Sequence, residues 1–229
     1  MTVFLKGCPL GCLWCHNPEG IAPGLDEFGR IISVQELMTE IEKDRPFMDE
    51  SAGGVTLSGG EPLSQPEFLV SMMRQCRDSG IHISLDTCGH APADAFDATL
   101  DLVDLYLYDL KFMDDELHRR YTGVSNGLVI RNCKKLDELD RKTLIRFPVI
   151  PEITGTAENI RDIGDFISSL NNIKTVDLLP FHRTAEGKYE RMGIENQLKG
   201  VDPPSEDDVA IAKRILGGYG LEVLVGGSA

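Results

Sequence analysis

A single-domain α/β fold of alternating strands and helices is the class this sequence predicts, on three observations. Short apolar runs alternate along the chain with longer stretches of helical periodicity. Polar or metal-binding residues stand at the ends of six of those apolar runs. The length, 229 residues, suits one core of this class.

In chain order, residues 3–5 form the first predicted strand. A helix over residues 34–41 puts Val34, Leu37, Met38 and Ile41 on one face, and a strand over 55–57 follows. A helix over 66–76 aligns Phe68, Leu69, Met72, Met73 and Cys76. Further strands are expected over 81–85, 105–107, 143–147, 176–179 and 221–225, with helices over 159–170 and 205–216. Strands separated by helices imply βα units and parallel pairing. Periodicity alone leaves open whether such units close into a barrel. No internal repeat stands out; Pro203-Pro204 reads as a turn and the Gly/Ser tail as a chain end.

Composition excludes several functions. Hydrophobic residues are 41% and aromatics 7%, ordinary for a globular protein. No apolar run approaches the ~20 residues that span a bilayer, and the N-terminal stretch runs straight into cysteines and so does not read as a signal peptide. No membrane association and a cytoplasmic location are expected. A formal charge of −14 argues against nucleic-acid binding, which needs a basic footprint.

The chemistry concentrates in Cys8-Pro9-Leu10-Gly11-Cys12-Leu13-Trp14-Cys15. Thiolates are soft ligands that suit iron–sulfur clusters or zinc. A closed zinc site needs a fourth ligand, and His16, adjacent to Cys15, is awkwardly placed to aim at the same tetrahedral centre. Cys76, Cys88 and Cys133 are scattered singly, and three closely spaced cysteines cannot all pair as disulfides. A cluster held at three corners, with one iron left open, fits best; a zinc-stabilised binding module is the non-enzymatic alternative.

In an α/β barrel, reactive groups sit at the C-terminal ends of strands. Ser58-Gly59-Gly60-Glu61, Asp86-Thr87, Asp109 with Lys111, Arg146 and His182 all fall at or just past strand ends, so one shared mouth is expected. Each has a plainer reading: a Gly-Gly turn, a cap, a structural ion pair, a lone structural histidine.

The C-x3-C-x2-C run with an aromatic before its last cysteine resembles the signature of the radical S-adenosylmethionine (SAM) superfamily. The likeness continues through Thr2–Cys8, Cys15-His-Asn-Pro-Glu19, Gly53–Pro62, Leu85-Asp-Thr-Cys-Gly89, Tyr108-Asp-Leu-Lys111, Ile145-Arg-Phe147 and Leu178–His182. In that order these resemble the glycyl-radical-enzyme activating enzymes. The resemblance implies a partial (β/α)6 TIM-like barrel. It implies a four-iron, four-sulfur (4Fe–4S) cluster on Cys8, Cys12 and Cys15, with S-adenosylmethionine at the open iron. Cofactor contacts are implied for Trp14, Asn17, Gly59, Gly60, Glu61, Asp86, Asp109, Lys111, Arg146 and His182. A monovalent cation is implied among Asp86, Thr87 and Asp109.

The implied activity is removal of a glycine Cα hydrogen from a partner glycyl radical enzyme. That partner is expected to be of the pyruvate formate-lyase kind, since no cysteine between Cys15 and Gly53 signals the ferredoxin-like insertion of many relatives. Flavodoxin or ferredoxin is the expected electron donor. The N-terminal extension usual in the family is expected to be missing. A radical SAM enzyme acting on a small molecule is the alternative.

Overall fold

A computed structural model describes residues 1–226; the end of the Gly/Ser tail, residues 227–229, lies outside the described residues. All seven expected strands form: β1 (Thr2–Leu5), β2 (Gly54–Gly59), β3 (His82–Thr87), β4 (Leu105–Asp109), β5 (Thr143–Val149), β6 (Thr175–Pro180) and β7 (Glu222–Val225). They make one parallel sheet whose spatial order is the chain order. Each crossover therefore steps one strand in the same direction, which curls the sheet into a barrel sector. Six βα units precede the last strand, as the partial (β/α)6 barrel requires.

The four expected helices are α1 (Val34–Lys43), α3 (Pro66–Asp78), α7 (Ala157–Ser169) and α9 (Glu206–Gly217). Ser33 and Glu36 form a capping box at the start of α1, and Ser205 and Asp208 do the same for α9. The helices α2 (Arg45–Ser51), α4 (Ala93–Asp97), α5 (Asp115–Thr122), α6 (Gly127–Glu138) and α8 (Glu186–Met192) are additions to the sequence expectation. Four of these are short, and α5 and α8 bury too little to show a stripe: His118 and Thr122 in α5, Tyr189 in α8.

Alternate strand residues point toward the helices. Leu57, Leu85, Tyr106, Tyr108, Ile145, Phe147 and Leu178 pack there with Leu69, Met72, Phe96, Ile160 and Ile163 in the main core. Full burial of each such side chain contributes about 2 kcal/mol. The buried Tyr108 hydroxyl donates to the Val129 carbonyl of α6 at 2.7 Å, so its polar end is satisfied. The opposite, concave face carries Ser58, Asp86, Asp109 and Arg146 near the strand C-termini.

The strands run further than the apolar runs. Pairing continues through Phe4↔Ser58, Leu5↔Gly59, Thr87↔Tyr108 and Asp109↔Arg146. Ser58, Gly59, Asp86, Thr87, Asp109 and Arg146 thus sit within the strand ladders on rigid backbone, while the three cysteines, Lys111 and His182 lie on segments past the strand ends.

Candidate active site at the strand ends

One cavity of about 370 Å³ opens where the strand C-termini meet. Cys8, Cys12, Cys15, Trp14, Asn17, Gly59, Gly60, Asp86, Thr87, Asp109, Lys111, Arg146 and His182 all line it. Residues from the β1–α1 loop, from β2 to β5, and from the segments after β4, β6 and β7 share this wall. Of the sequence-expected site residues, Glu61 alone does not line the cavity.

The cysteine loop is tied down at several backbone points. Gly11 N donates to Thr122 O at 2.8 Å and Leu13 N to Tyr121 O at 3.1 Å, both at the end of α5. Gly7 N donates to Gly20 O, Gly60 N to Leu5 O and Glu61 N to Gly7 O, at 2.7–2.8 Å. Three segments thus meet through main chain alone. A Cβ at Gly60 would collide with the carbonyls of Gly7 and Gly20, and Gly59 has φ +114°. These glycines serve close backbone approach between protein segments as well as access to the cavity.

Burial raises all three loop thiols above the ordinary cysteine value. Cys8 is pushed up to about 11 and Cys12 to about 12, and Cys15 also rises. The Lys111 ammonium opposes burial at each of the three. Trp14 packs edge-on to Phe112, with ring centroids 6.2 Å apart, and joins a small second core with Ile150, Phe181 and Leu198. That packing carries the loop onto the barrel rim.

Across the cavity runs a chain of alternating charges. Ser58 Oγ donates to Asp86 Oδ2 at 2.6 Å, and Asp86 Oδ1 lies 3.1 Å from Arg146 Nη2. Arg146 Nε donates to Asp109 Oδ1 at 3.1 Å, and Lys111 Nζ to Asp109 Oδ2 at 3.0 Å. Because β4 lies between β3 and β5, Arg146 reaches over it to bind Asp86. Burial raises the Asp86 carboxyl, with Arg146 opposing. At Asp109 burial also works upward, but Lys111 and Arg146 outweigh it and hold the carboxyl below its usual range. Burial works against the charge of Lys111 and Arg146, yet their acidic neighbours together, Asp109 foremost, outweigh it and keep both cationic.

Glu61 turns away from this array. Its Oε1 accepts from Thr87 Oγ1 at 2.8 Å and from Leu63 N at 3.1 Å, and its Oε2 accepts from Cys88 N at 2.8 Å. Its carboxylate fixes the Asp86-Thr87-Cys88 strand end from behind, so Thr87 reaches the cavity with its hydroxyl already engaged. Cys88 is buried and lines the cavity beside Thr87.

The His182 ring packs against His16, tilted by 33° with ring centroids 4.3 Å apart, and its Nδ1 is 2.6 Å from Thr184 Oγ1. His16 Nε2 is buried with no hydrogen-bond partner; burial and the neighbouring His182 hold its pKa down. Sequence reasoning passed over Lys188 and Tyr189, which contact the segment after Cys15 from α8. Some 170 residues separate the partners, and no local pattern announces the contact. Among the described residues, no three His, Cys, Asp or Glu side chains are drawn together closely enough to hold one metal ion.

Residues 2–167 match the family described as the Radical SAM superfamily. The chain is 36% identical to the pyruvate formate-lyase 1-activating enzyme of Escherichia coli, over 96% of this chain and 89% of that one. It is 33% identical to the trans-4-hydroxy-L-proline dehydratase activating enzyme of Clostridioides difficile, over 99% and 93%. Among solved structures, a domain of pyruvate-formate lyase-activating enzyme from Bacteroides vulgatus superposes with a TM-score of 0.65 at 33% identity, covering 76% of this chain and 99% of that one. A radical SAM methyltransferase from Sphaerobacter thermophilus shares the fold, with a TM-score of 0.73 at 18% identity over 98% of this chain and 65% of that one. With three thiols and a charged array around one cavity, and a family match over most of its length, this chain belongs to the radical SAM superfamily.

Proposed function

We propose that this chain is a glycyl-radical-enzyme activating enzyme. The carrying observation is that Cys8, Cys12 and Cys15 share one cavity wall with the Asp86–Arg146–Asp109–Lys111 array. The donor set fits a 4Fe–4S cluster: three soft thiol ligands on one cavity wall and no fourth cysteine in the loop. When bound, cluster and S-adenosylmethionine supply a 5′-deoxyadenosyl radical that takes one hydrogen atom from a glycine Cα.

The chain's own groups bind and orient. Lys111 would hold the carboxylate of S-adenosylmethionine and Asp86 and Asp109 its ammonium, while Arg146 bridges the two acids. Trp14, Asn17 and His182 frame the mouth; the orphan Nε2 of His16 is suited to meet an acceptor there. Gly59 and Gly60 expose backbone to the ligand, while Glu61 supports it at one remove. For the monovalent cation, Asp86, Thr87 and Asp109 supply hard oxygen ligands. Arg146 now spans the two acids, so an ion there competes with the guanidinium.

The alignments favour a partner of the pyruvate formate-lyase kind. The match to the Escherichia coli relative runs over 223 positions, close to this chain's own length. The match to the dehydratase activase runs over 282 positions although this chain has 229 residues, so at least 53 positions have no counterpart here. We read the electron donor as flavodoxin or ferredoxin and the location as cytoplasmic. No described helix is long and apolar enough to cross a membrane.

The test is anaerobic. Iron-reconstituted protein, reductant, S-adenosylmethionine and a pyruvate formate-lyase are mixed and examined by electron paramagnetic resonance. A glycyl doublet on the partner is expected. Cofactor cleavage with no protein radical on any glycyl radical enzyme would point instead to a small-molecule substrate.

A further inference from the structure

Helix α8 lies outside the barrel staves, yet it grips the segment that follows the cysteine motif. Lys188 Nζ donates to three acceptors there: His16 O at 2.8 Å, Asn17 Oδ1 at 2.9 Å and Glu19 Oε1 at 2.6 Å. One residue on, the Tyr189 hydroxyl donates to the carbonyl of Cys15 itself at 3.0 Å. Lys188 is half-buried and Tyr189 buried, so both sets of bonds are partly shielded from water. Charge-assisted bonds of this kind are about twice as strong as neutral ones.

The same helix begins directly after the His182 segment, where Arg183–Ala185 forms a single turn. The His182 ring packs against His16. Two cavity-lining segments far apart in sequence, Cys15–Asn17 and Phe181–His182, are thereby held as one unit. Backbone turns hold the segment locally, with Cys15 N donating to Cys12 O at 3.0 Å and Gly20 N to Asn17 O at 2.9 Å, and Gly7 N donates to Gly20 O. Besides α8, two side-chain contacts reach it from elsewhere. Asn17 Nδ2 reaches Gly59 O at 3.5 Å, at the edge of hydrogen-bond range, and Lys6 Nζ binds Glu19 O at 2.8 Å. The three-point contact of Lys188 is the densest polar anchor on this stretch.

We propose that Lys188 is a positioning residue for the third cysteine: it locks the Cys15–Glu19 segment against the His182 segment, with Tyr189 as its auxiliary. The inference rests on Cys15 being a cluster ligand, as read above. Lys188 acts through the backbone beside that ligand and through Asn17, without touching cofactor. Removing its ammonium leaves Glu19 without its ion-pair partner and frees the backbone on the C-terminal side of Cys15.

The test compares wild type with Lys188→Met, Lys188→Arg and Tyr189→Phe. In metal-free protein, the alkylation rate of Cys15 relative to Cys8, mapped by mass spectrometry, is expected to rise severalfold in Lys188→Met. In reconstituted protein, iron release to a chelator is expected to speed up about tenfold or more, the usual scale for loss of a group that orients a metal ligand. The cluster's reduction potential should shift in Lys188→Met and return toward wild type in Lys188→Arg. Tyr189→Phe should show a smaller effect in the same direction. A Lys188→Met protein with wild-type alkylation, chelation rate and potential would overturn the proposal. So would equal defects in Met and Arg variants whose unfolding midpoints match wild type. If wild type takes up no cluster, the functional reading fails instead, while the alkylation ratio still judges the clamp.

Discussion

At the scale of single residues, side chains and backbone divide the work of this site. Gly60 illustrates the backbone share: Gly7 and Gly20 leave no room for a Cβ, so Gly60→Ala must push the cysteine loop off β2. A destabilisation of about 3 kcal/mol is expected, read from urea unfolding, because the obstacle is main chain and cannot rotate away. Arg146 illustrates the side-chain share. Arg146→Met leaves Asp86 and Asp109 as two half-buried acids without their shared partner, Asp109 keeping Lys111. Because the array lines an open cavity, a cost of about 2 kcal/mol is expected, below the value for a fully buried pair. The same substitution should weaken S-adenosylmethionine binding, measured by calorimetry; unchanged stability and affinity would remove Arg146 from the site. That Cys8, Asp86, Lys111 and His182 would meet at one cavity was legible because their residue types stand out at or past strand ends. The direction of Glu61 was not, since nothing in Gly59-Gly60-Glu61 says that the carboxylate folds back onto Thr87 and Cys88.

At the scale of elements, strands were easier to read than helices for a physical reason. The helix-facing residues of β2 to β6 are buried and apolar, so each strand core shows as an apolar run. Its polar end, where the ladder carries on through Ser58 or Asp109, does not show. Helix α5 has buried His118 and Thr122 where an amphipathic helix would carry leucines, and α8 has one buried tyrosine. Both are fixed by polar contacts made far along the chain, which no local periodicity encodes. Asp137, at the end of α6, shows how firmly such contacts tie elements together. Its carboxylate accepts from the backbone N–H groups of Asn171, Asn172 and Ile173 at 2.6–3.0 Å, pinning the α7–β6 turn. Burial works against its charge, yet these bonds hold its pKa below the usual carboxylate range. Asp137→Ala strands three donors and should cost about 3 kcal/mol in a chemical denaturation series. A loss within ~0.5 kcal/mol, the range of ordinary surface changes, would contradict that role.

At the scale of the whole molecule, the parallel sheet with its strands in chain order brings every strand C-terminus to one rim, and the site follows from that topology. The convergence was legible; the tie between α8 and the cysteine loop was not, because it depends on how the last third of the chain folds back. Six free cysteines add a global signature. Burial lifts all six thiols above 9.0, the ordinary value, with Cys8 and Cys76 at about 11 and Cys12 at about 12. In metal-free protein the folded state therefore keeps protons that the unfolded chain releases as pH rises through 9. Stability should be level below that pH and then fall, by at most about 1.4 kcal/mol per pH unit for each thiol. Urea midpoints at pH 7.5, 9 and 10.5 test this; a midpoint that does not fall between the last two would count against buried thiols in solution.

The alternating array of Asp86, Arg146, Asp109 and Lys111 carries two charges of each sign. A ligand bearing both an ammonium and a carboxylate can enter it by exchanging partners, like with like, without meeting an unbalanced field. Such an exchange leaves the protein's long-range potential almost unaltered, so added salt has little to screen. Affinity for the amino-acid end of the ligand should then stay nearly constant from dilute buffer to strong brine, although the molecule as a whole carries a formal charge of −14.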